Sequence, residues 1–315
     1  MTGPDTPHVS IIIPCYNKQA YVGAAIESAL AQTHPSEVIV IDDGSTDGSL
    51  AEIKRFEGQI IWETGHNRGG SAARNRGLDR ATGRWVQFLD ADDLLAKDKV
   101  ATQVAALRGR SDTEIALCPW SLLQDDGQIA PPDPRHYWQT YSRGVDLLAD
   151  MWYNGGFFPP HVWLVSRALI ERIGPWDEAL TGDDDGEFFG RVLCAAKDVH
   201  FCSDTQVFYR DPPEGSVSRD RSLKSAQSFW MAFEQVAAAL MSVRNDAQTQ
   251  KACLSRARKT GYAWRDVPEV LEKAAAWEKA HGRFDLSPSL PLKTRWLVAI
   301  FGLQRGLAIR RALAL

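Results

Sequence analysis

The sequence predicts an α/β protein in which helices flank a mostly parallel, Rossmann-like sheet, followed by a helical C-terminal extension. Strand-like and helix-like segments alternate along residues 9–95, the pattern of parallel strands joined by right-handed crossovers. The strand-like runs at 9–13 and 37–41 are continuous and apolar, so each strand should be covered on both faces. From about residue 222 the segments are helical and alanine-rich, with no strand signal.

The elements of the first half follow from these patterns. A helix is predicted over residues 21–32 because its apolar residues recur on one face, and Ser45 or Thr46 can cap the helix after the second strand. The predicted strands of this half lie at 9–13, 37–41, 59–62 and 83–89. The predicted helices lie at 21–32, around 50–56, at 72–81 and at 97–107.

The second half is less regular. Residues 124–141 are rich in proline and polar residues and predict a loop or hairpin. Further strands are predicted at 114–118, 162–165, 199–201 and 207–209, and helices at 144–151, at 167–173 and after 183–185. With a boundary at residues 212–216, we expect a catalytic domain at 1–215 and a helical extension at 216–315. Within the catalytic domain, residues 1–110 would bind a nucleotide and residues 111–215 would bind an acceptor.

Composition excludes several classes of protein. A net charge of −4 and a pI of about 6.0 do not support a nucleic-acid-binding surface. The five cysteines are scattered and form no Cys-x-x-Cys pair, which favours neither disulfides nor zinc and suits a reducing cytosol. Residues 1–7 lack a signal segment, and the apolar run 296–303 is too short to cross a bilayer. We therefore expect a cytoplasmic protein.

Two acidic turns follow neighbouring predicted strands, at 42–43 and 90–93. Because the carboxyl ends of parallel strands meet at one sheet edge, these carboxylates should open on the same cleft. So many carboxylates can bind a nucleotide diphosphate only if Mg²⁺ or Mn²⁺ bridges the two sets of oxygens. The plainer alternative is an acidic turn that caps the next helix. A Gly-x-Gly-x-x-Gly after the first strand and a P-loop are both missing, which argues against dehydrogenases and P-loop NTPases.

Four motifs stand in a fixed order along the first hundred residues. They are VSIIIPCYN at 9–17, IDDGSTD at 41–47, NRGGSAARN at 67–75 and LDADD at 89–93. This set resembles the inverting glycosyltransferases of family two, which have a GT-A fold. The resemblance continues as two local matches, near 167–170 and 183–191, and ends near residue 210.

The resemblance implies how a UDP-sugar donor is bound. Pro14 and Tyr16 would line the base pocket, with Asn17 beside them, and Asp43 would accept a hydrogen bond from the uracil N–H. Arg74 would contact the phosphates, a suitable use of a guanidinium fork. The alternatives are a turn or cap role for Asp43 and a solvated helix face for Arg74.

The resemblance also assigns the three carboxylates of the LDADD motif. Asp92 would contact the ribose or a divalent metal, Mn²⁺ or Mg²⁺, and Asp93 would bind the metal. Asp90, also counted among the donor-binding residues, would mainly brace the loop.

A second acidic cluster completes the implied mechanism. The family places Glu-Asp before an aromatic-rich helix and an arginine; here Asp184 replaces the glutamate, and Asp185 precedes Arg191 by six residues. Asp185 would be the general base that takes the proton of the acceptor hydroxyl. The alternative is an acidic helix start stabilised by the helix dipole.

Some residues have open roles. His161 would be a metal ligand, an acceptor contact or a plain loop histidine, and Trp152, Trp163 and Trp176 would stack on an acceptor or fill the core. Residues 293–315 combine basic and apolar residues. This segment predicts peripheral contact with a membrane, which would place the protein at the inner face of the plasma membrane, or packing on the protein itself.

The leading hypothesis is an inverting, metal-assisted transfer of a sugar from a UDP-sugar to a hydroxyl of a glycan, lipid-linked or small-molecule acceptor. A sugar nucleotidyltransferase is an alternative enzyme class, although it usually has a glycine-rich phosphate loop after the first strand. A non-catalytic nucleotide-binding module of the same fold is the third possibility.

Overall fold

The structure is a computed structural model and divides the chain into two compact units. The described residues are 9–124, 126–211, 220–282 and 285–313. The first unit comprises Met1–Arg143, Phe158–Glu178 and Ala195–Glu214. The second comprises Gly144–Phe157, Ala179–Cys194 and Gly215–Leu315. The boundary predicted at 212–216 lies outside the described residues.

The central sheet of the first unit is mostly parallel. The strands of this unit are β1 (Val9–Cys15), β2 (Ser36–Asp42), β3 (Ile61–Thr64), β4 (Trp85–Phe88), β5 (Leu94–Leu95), β6 (Ile115–Leu117), β7 (Trp120–Leu123), β8 (Val165–Ser166), β9 (Val199–Phe201) and β10 (Val207–Arg210). The central sheet has the order β3-β2-β1-β4-β8, in which only the pairing of β4 with β8 is antiparallel. This confirms the predicted fold class.

Burial explains why β1 and β2 lie at the centre of this sheet. Ile11, Ile12 and Ile13 have no exposed surface, and residues 38–41 of β2 are at most 2% exposed. The helices of the first unit are α1 (Val22–Leu30), α2 (Ser49–Lys54), α3 (Gly70–Arg80), α4 (Lys99–Leu107) and α6 (Arg167–Ile173). At Gly77 of α3 an added Cβ would collide with the side chain of Ile12, so this helix lies directly on the sheet.

Two smaller sheets complete the first unit. One has the order β5-β10-β7, and the other pairs β6 with β9. Strand β5 directly follows the acidic turn at 90–93 and pairs antiparallel with β10. The late strand β10 is thereby placed beside the acidic turn.

The structure differs from the predicted elements at several places, among them the strands β5 and β7, which the sequence analysis does not predict. A strand is expected at 162–165, but residue 162 ends a 3-10 helix, Pro160–Val162, because a proline at the first position starts a helical turn. The observed strand, β8, begins only at Val165. The strand expected at 59–62 starts later, at Ile61, because Gly58 adopts a positive φ of 84° and turns the chain first.

The second unit is helical in its described residues, which confirms the predicted C-terminal helices. Its helices are α5 (Gly144–Asn154), α7 (Asp184–Ala195, whose last residue falls in the first unit), α8 (Leu223–Val243), α9 (Ala247–Ala263), α10 (Pro268–His281), α11 (Leu292–Phe301) and α12 (Leu303–Ala312). Ser222 caps α8 and Asp246 caps α9 through side-chain hydrogen bonds of 3.1 and 2.8 Å. In the described part of the chain no helix is long and apolar enough to span a membrane.

A lysine is buried in the core of the first unit. Lys99 has no exposed surface, and its ammonium group donates to Oε1 of Gln87 and to the carbonyl oxygen of Trp163. Burial lowers the pKa of Lys99 to about 8, because the charged form loses its hydration.

We expect Lys99 to make stability depend on pH in the alkaline range. Between the folded value of about 8 and the ordinary value of 10.5, the unfolded chain binds more protons, so the free energy of unfolding should rise with pH. The full effect is about 3 kcal/mol. Urea unfolding across this range should show the same rise in the wild type and in the exposed control Lys97→Met, and a smaller rise in Lys99→Met. Parallel profiles for all three proteins would contradict the prediction.

Candidate active site

Three turns meet at the carboxyl edge of the central sheet of the first unit. They follow β1, β2 and β4 and contain most of the residues predicted to bind a donor, whereas Pro14 lies in β1 and Arg74 in α3. Asn17 joins the first two turns: its Oδ1 accepts a hydrogen bond of 2.8 Å from the N–H of Thr46, and its own N–H donates to Oγ of Ser45 at 3.0 Å. Asn17 has a φ of 52°, a left-handed conformation that asparagine tolerates. The hydrogen bonds of Asn17 thus hold the turn after β1 against the turn after β2.

Asp43 fixes the loop that leads into α3. Its side chain is only 2% exposed. Oδ2 accepts a hydrogen bond of 2.8 Å from the N–H of Gly69, and the N–H of Arg68 lies 3.0 and 3.1 Å from the two oxygens. The two loops approach so closely that a Cβ on Gly44 would lie 2.7 Å from the carbonyl oxygen of Gly65. Asp43 therefore has a structural role here, and its four acceptor sites leave capacity for one more donor.

The residues predicted to line a base pocket end β1. Pro14 is half-buried and lies opposite Ile41 in the sheet register. Tyr16 is 46% exposed, so its ring is accessible at the same edge.

Arg74 is buried rather than solvated. Its Nη2 donates a hydrogen bond of 2.8 Å to Oδ1 of Asp90. Its guanidinium carbon lies 4.5 Å from the ring centroid of Trp176, a cation–π contact. Asn75 holds Trp176 in place through hydrogen bonds to its backbone N–H and carbonyl oxygen, of 2.9 and 3.0 Å. The acidic turn is thus paired with a guanidinium held in one orientation.

Asp92 lies between two cations from distant parts of the chain. Nζ of Lys18 forms an ion pair with Oδ2 of Asp92, whose side chain is 19% exposed. Nε of Arg210, in β10, donates a hydrogen bond of 3.0 Å to the backbone carbonyl oxygen of Asp92. Of the three carboxylates in the turn, Asp90 and Asp92 remain accessible to solvent.

Asp93 is buried beneath this surface, with 2% of its surface exposed. Its Oδ1 accepts a hydrogen bond of 2.7 Å from the backbone N–H of Arg210. Burial, followed by the negative charges of Asp90 and Asp92, raises the pKa of Asp93 well above its ordinary value. These surroundings favour the neutral form of the Asp93 carboxyl, while Asp90 and Asp92 are paired with Arg74 and Lys18.

His161 lies behind Asp93. The imidazole has no exposed surface, and its Nδ1 is 3.2 Å from Oδ2 of Asp93. Burial lowers the pKa of His161 to about 3, so the ring is neutral at pH 7. His161 is therefore neither an exposed loop histidine nor directly accessible to an acceptor.

The carboxylates of this turn fit a divalent cation. Oxygen ligands suit Mn²⁺ and Mg²⁺, and the ammonium of Lys18 already takes the place of a cation on Asp92. The burial of Asp93 favours Asp92 as the direct ligand. Across the described ranges, no three histidine, cysteine, aspartate or glutamate side chains are grouped to hold a metal. A cation here would need further oxygens, which a diphosphate can supply.

We expect Lys18 to compete with a divalent cation for Asp92. In Lys18→Met the competing ammonium is gone, so the affinity for Mn²⁺ should rise about two- to fivefold, as befits a partly exposed ion pair. Isothermal titration with Mn²⁺ in the presence of saturating UDP measures this change. The exposed Lys97→Met is the matched control and should bind as the wild type does. A lower affinity in Lys18→Met would contradict competition.

Asp185 lies in the second unit, near the start of α7. The preceding Asp183 has a φ of 57° and forms an ion pair with Arg256 of α9. Asp185 is half-buried, and its Oδ1 accepts a hydrogen bond of 2.8 Å from the N–H of Gly186. The hydrogen bond orients this carboxylate.

The arginine that follows Asp185 in the motif is bound within α7. Nη2 of Arg191 donates a hydrogen bond of 2.8 Å to Oε2 of Glu187, which is 2% exposed. A second hydrogen bond, from Nε to Oε1, makes the pair bidentate. Arg191 thus stabilises the helix that carries Asp185.

The three tryptophans with open roles are all buried. Trp152, Trp163 and Trp176 are 8%, 2% and 1% exposed, so all three belong to the core.

Sequence reasoning missed Lys18 and Arg210 as partners of the acidic turn. No local motif marks either residue, because each reaches Asp92 only through the tertiary fold.

The family is defined by comparison with known proteins. The model of glycosyl transferase family 2 matches residues 10–174, just over half of the chain. The chain belongs to this family, which confirms the resemblance seen in the four motifs.

The similar curated proteins are bacterial glycosyltransferases. The chain is 40% identical over 128 residues to the putative teichuronic acid biosynthesis glycosyltransferase TuaG of Bacillus subtilis, a match that covers 38% of this chain and 50% of TuaG. An uncharacterized glycosyltransferase of Rickettsia typhi is 26% identical over 72% of each chain. The match thus spans only half the length of TuaG.

Solved structures establish the GT-A fold. S. aureus TarS 1–349 in complex with UDP-GlcNAc superposes with a TM-score of 0.70 at 19% identity, covering 97% of this chain and 92% of that one. The mannosyltransferase PcManGT from Pyrobaculum calidifontis, in complex with GDP-Man and Mn²⁺, gives a TM-score of 0.55 at 19% identity and covers 99% and 88%. These likenesses confirm the predicted fold.

Proposed function

We propose that this chain is an inverting glycosyltransferase that moves a sugar from a UDP-sugar to an acceptor hydroxyl. The observation that carries the proposal is the edge of the parallel sheet, where the accessible Asp92 lies in one turn with Asp90, the partner of Arg74. Membership of family 2 supports the reaction class. The complexes of TarS with UDP and UDP-GlcNAc support a uridine nucleotide as donor.

Each residue of the edge has a role in donor binding. Tyr16, with Pro14 and Asn17 beside it, would contact the base, and Asp43 would use its remaining acceptor capacity for the uracil N–H. Arg74 would exchange part of its interaction with Asp90 for the diphosphate, because its guanidinium is already oriented by Trp176.

A divalent cation, Mn²⁺ or Mg²⁺, would be held by Asp92, with Asp93 as the ligand predicted from the motif, and would stabilise the charge that develops on the departing diphosphate. The buried contacts of Asp93 with Arg210 and His161 support a bracing role for this carboxylate in the same assembly.

In the transfer step, Asp185 would accept the proton of the acceptor hydroxyl as its oxygen attacks the anomeric carbon. Single displacement inverts that carbon and requires a base but no enzyme nucleophile. The acceptor would be a glycan, a lipid-linked sugar or a small molecule. The name of TuaG, a teichuronic acid biosynthesis glycosyltransferase, favours a polysaccharide pathway.

A panel of nucleotide sugars tests the proposal. The purified chain is incubated with UDP-, GDP- and TDP-sugars, with Mn²⁺, with Mg²⁺ or with EDTA, and release of the nucleoside diphosphate is measured. We expect release from a UDP-sugar that depends on the metal. Release of pyrophosphate from a nucleoside triphosphate and a sugar phosphate would instead indicate the nucleotidyltransferase. A chain that neither releases a nucleotide nor binds UDP in the presence of metal would exclude the proposed reaction.

A further inference from the structure

Helix α11 of the second unit exposes an apolar strip. Leu292, Trp296 and Ile300 follow one another at intervals of four residues and are 66%, 53% and 62% exposed. Residues at this spacing lie on one helix face. Phe301 extends the strip with 48% of its surface exposed. A contiguous apolar face of this kind marks a contact surface.

The opposite face of α11 is packed, so the strip is a fixed feature of the unit. Val298 and Ala299 are buried, at 0% and 3% exposure. Helix α12 lies directly against α11, because a Cβ on Gly306 would be 2.8 Å from the carbonyl carbon of Leu297. The start of α12 is anchored in turn, since the N–H of Leu303 donates a hydrogen bond of 2.7 Å to the buried Glu278.

The charged residues of helices α11 and α12 are all basic. No aspartate or glutamate follows Asp285, whereas the basic residues that follow are Lys293, Arg295, Arg305, Arg310 and Arg311. Lys293 and Arg305 are exposed, and neither forms an ion pair with any residue that the structure describes. Arg311 pairs with Asp266 at 2.7 Å. The apolar strip is thus accompanied by uncompensated positive charge.

We propose that this surface, the strip of α11 with Lys293 and Arg305, docks on an anionic membrane. Tryptophan favours the boundary between lipid tails and headgroups, and a lysine beside the strip can extend its ammonium to the headgroups. Helix α11 has ten residues, which suits a helix lying in the plane of the interface rather than across the bilayer.

The positive charge of this surface favours a membrane over a second copy of the chain as its binding partner. Two copies joined through this surface would bring the same cations together, which disfavours a symmetric contact. Anionic lipids neutralise those cations while the apolar strip enters the headgroup region. The docking surface is independent of the proposed transfer reaction, and its test involves no sugar donor.

Vesicle co-sedimentation tests the proposal with the full chain. We expect the wild type to sediment with vesicles that contain phosphatidylglycerol and to remain free with phosphatidylcholine alone. Trp296→Ser combined with Ile300→Ser should abolish sedimentation. The matched control combines Leu223→Ser and Val243→Ser on α8, where both residues are similarly exposed, at 56% and 58%. The control should sediment as the wild type does.

Charge variants and fluorescence test the two components separately. Lys293→Gln and Arg305→Gln should each weaken binding about fivefold, while added salt weakens the wild type. All eleven tryptophans lie among the described residues, and Trp296 alone is exposed. Anionic vesicles should therefore shift the emission to the blue and protect it from acrylamide, and Trp296→Phe should remove both effects.

Two results would overturn the proposal. One is equal sedimentation of the wild type and the Trp296→Ser, Ile300→Ser variant, with circular dichroism showing both folded. The other is light scattering that shows a dimer in the wild type and a monomer in that variant, with no vesicle binding in either. The second result would assign the strip to a contact between copies.

Discussion

Asp185→Asn is expected to abolish sugar transfer while leaving UDP binding unchanged. Asparagine keeps the size of the side chain but cannot take the proton of the acceptor hydroxyl, so turnover should fall by about 10²–10⁴-fold. Because the base acts on the acceptor, the affinity for UDP with Mn²⁺ should stay within error of the wild type. Donor turnover and isothermal titration measure the two quantities on the same preparation.

A matched substitution separates this role from that of an acidic helix start. Asp246 directly precedes α9 in the same unit and caps it, since Oδ1 accepts a hydrogen bond of 2.8 Å from the N–H of Thr249. Asparagine caps helices as well as aspartate does, so Asp246→Asn should retain both activity and stability. If Asp185→Asn lowers only the melting temperature and retains transfer, Asp185 merely stabilises α7 and is not the base.

Asp92→Asn is expected to remove the metal dependence of donor binding. The neutral amide loses the charge that holds a cation, and with it the ion pair to Lys18. The affinity for UDP in the presence of Mn²⁺ should fall on the order of a hundredfold, and transfer should fall at least as far. Titration of UDP with Mn²⁺ and with EDTA gives the result directly.

The control for this variant is Asp133→Asn, because Asp133 is an exposed aspartate of the same unit whose side chain is 72% accessible. It should bind UDP and Mn²⁺ as the wild type does. If Asp92→Asn retains Mn²⁺-dependent UDP binding and Asp93→Asn loses it, the metal ligand is Asp93, as the motif alone predicts, and the buried carboxylate must become accessible.

The sheet and its edge could be predicted because their signals are local. Continuous apolar runs mark β1 and β2, and the turns that follow carry their motifs in a few consecutive residues. Asp43 is expected at the same edge as the acidic turn at 90–93 because parallel strands end together, whereas the role of Arg74 comes only from the resemblance. Their partners were not predictable from the sequence: Asp43 bonds to two backbone N–H groups, and Arg74 rests on Trp176.

The partners of the acidic turn are hidden from sequence reasoning for a different reason. Lys18 reaches Asp92 across 74 residues, and Arg210 donates its N–H to Asp93 across 117. His161 was predicted only as a histidine with several roles, since its burial depends on how a 3-10 helix packs beneath the sheet. The contact of Asp93 with Arg210 depends on the pairing of β5 with β10, which no motif encodes.

The pairing of β10 with β5 determines when, during synthesis of the chain, the contacts of the acidic turn can form. The acidic turn is synthesised early, but the backbone N–H that binds Asp93 belongs to Arg210. While the ribosome is still adding residues 100–206, the nascent chain already contains all four motifs of residues 9–93, yet Asp93 lacks this donor. The hydrogen bonding of the acidic turn is therefore completed only after translation has passed β10.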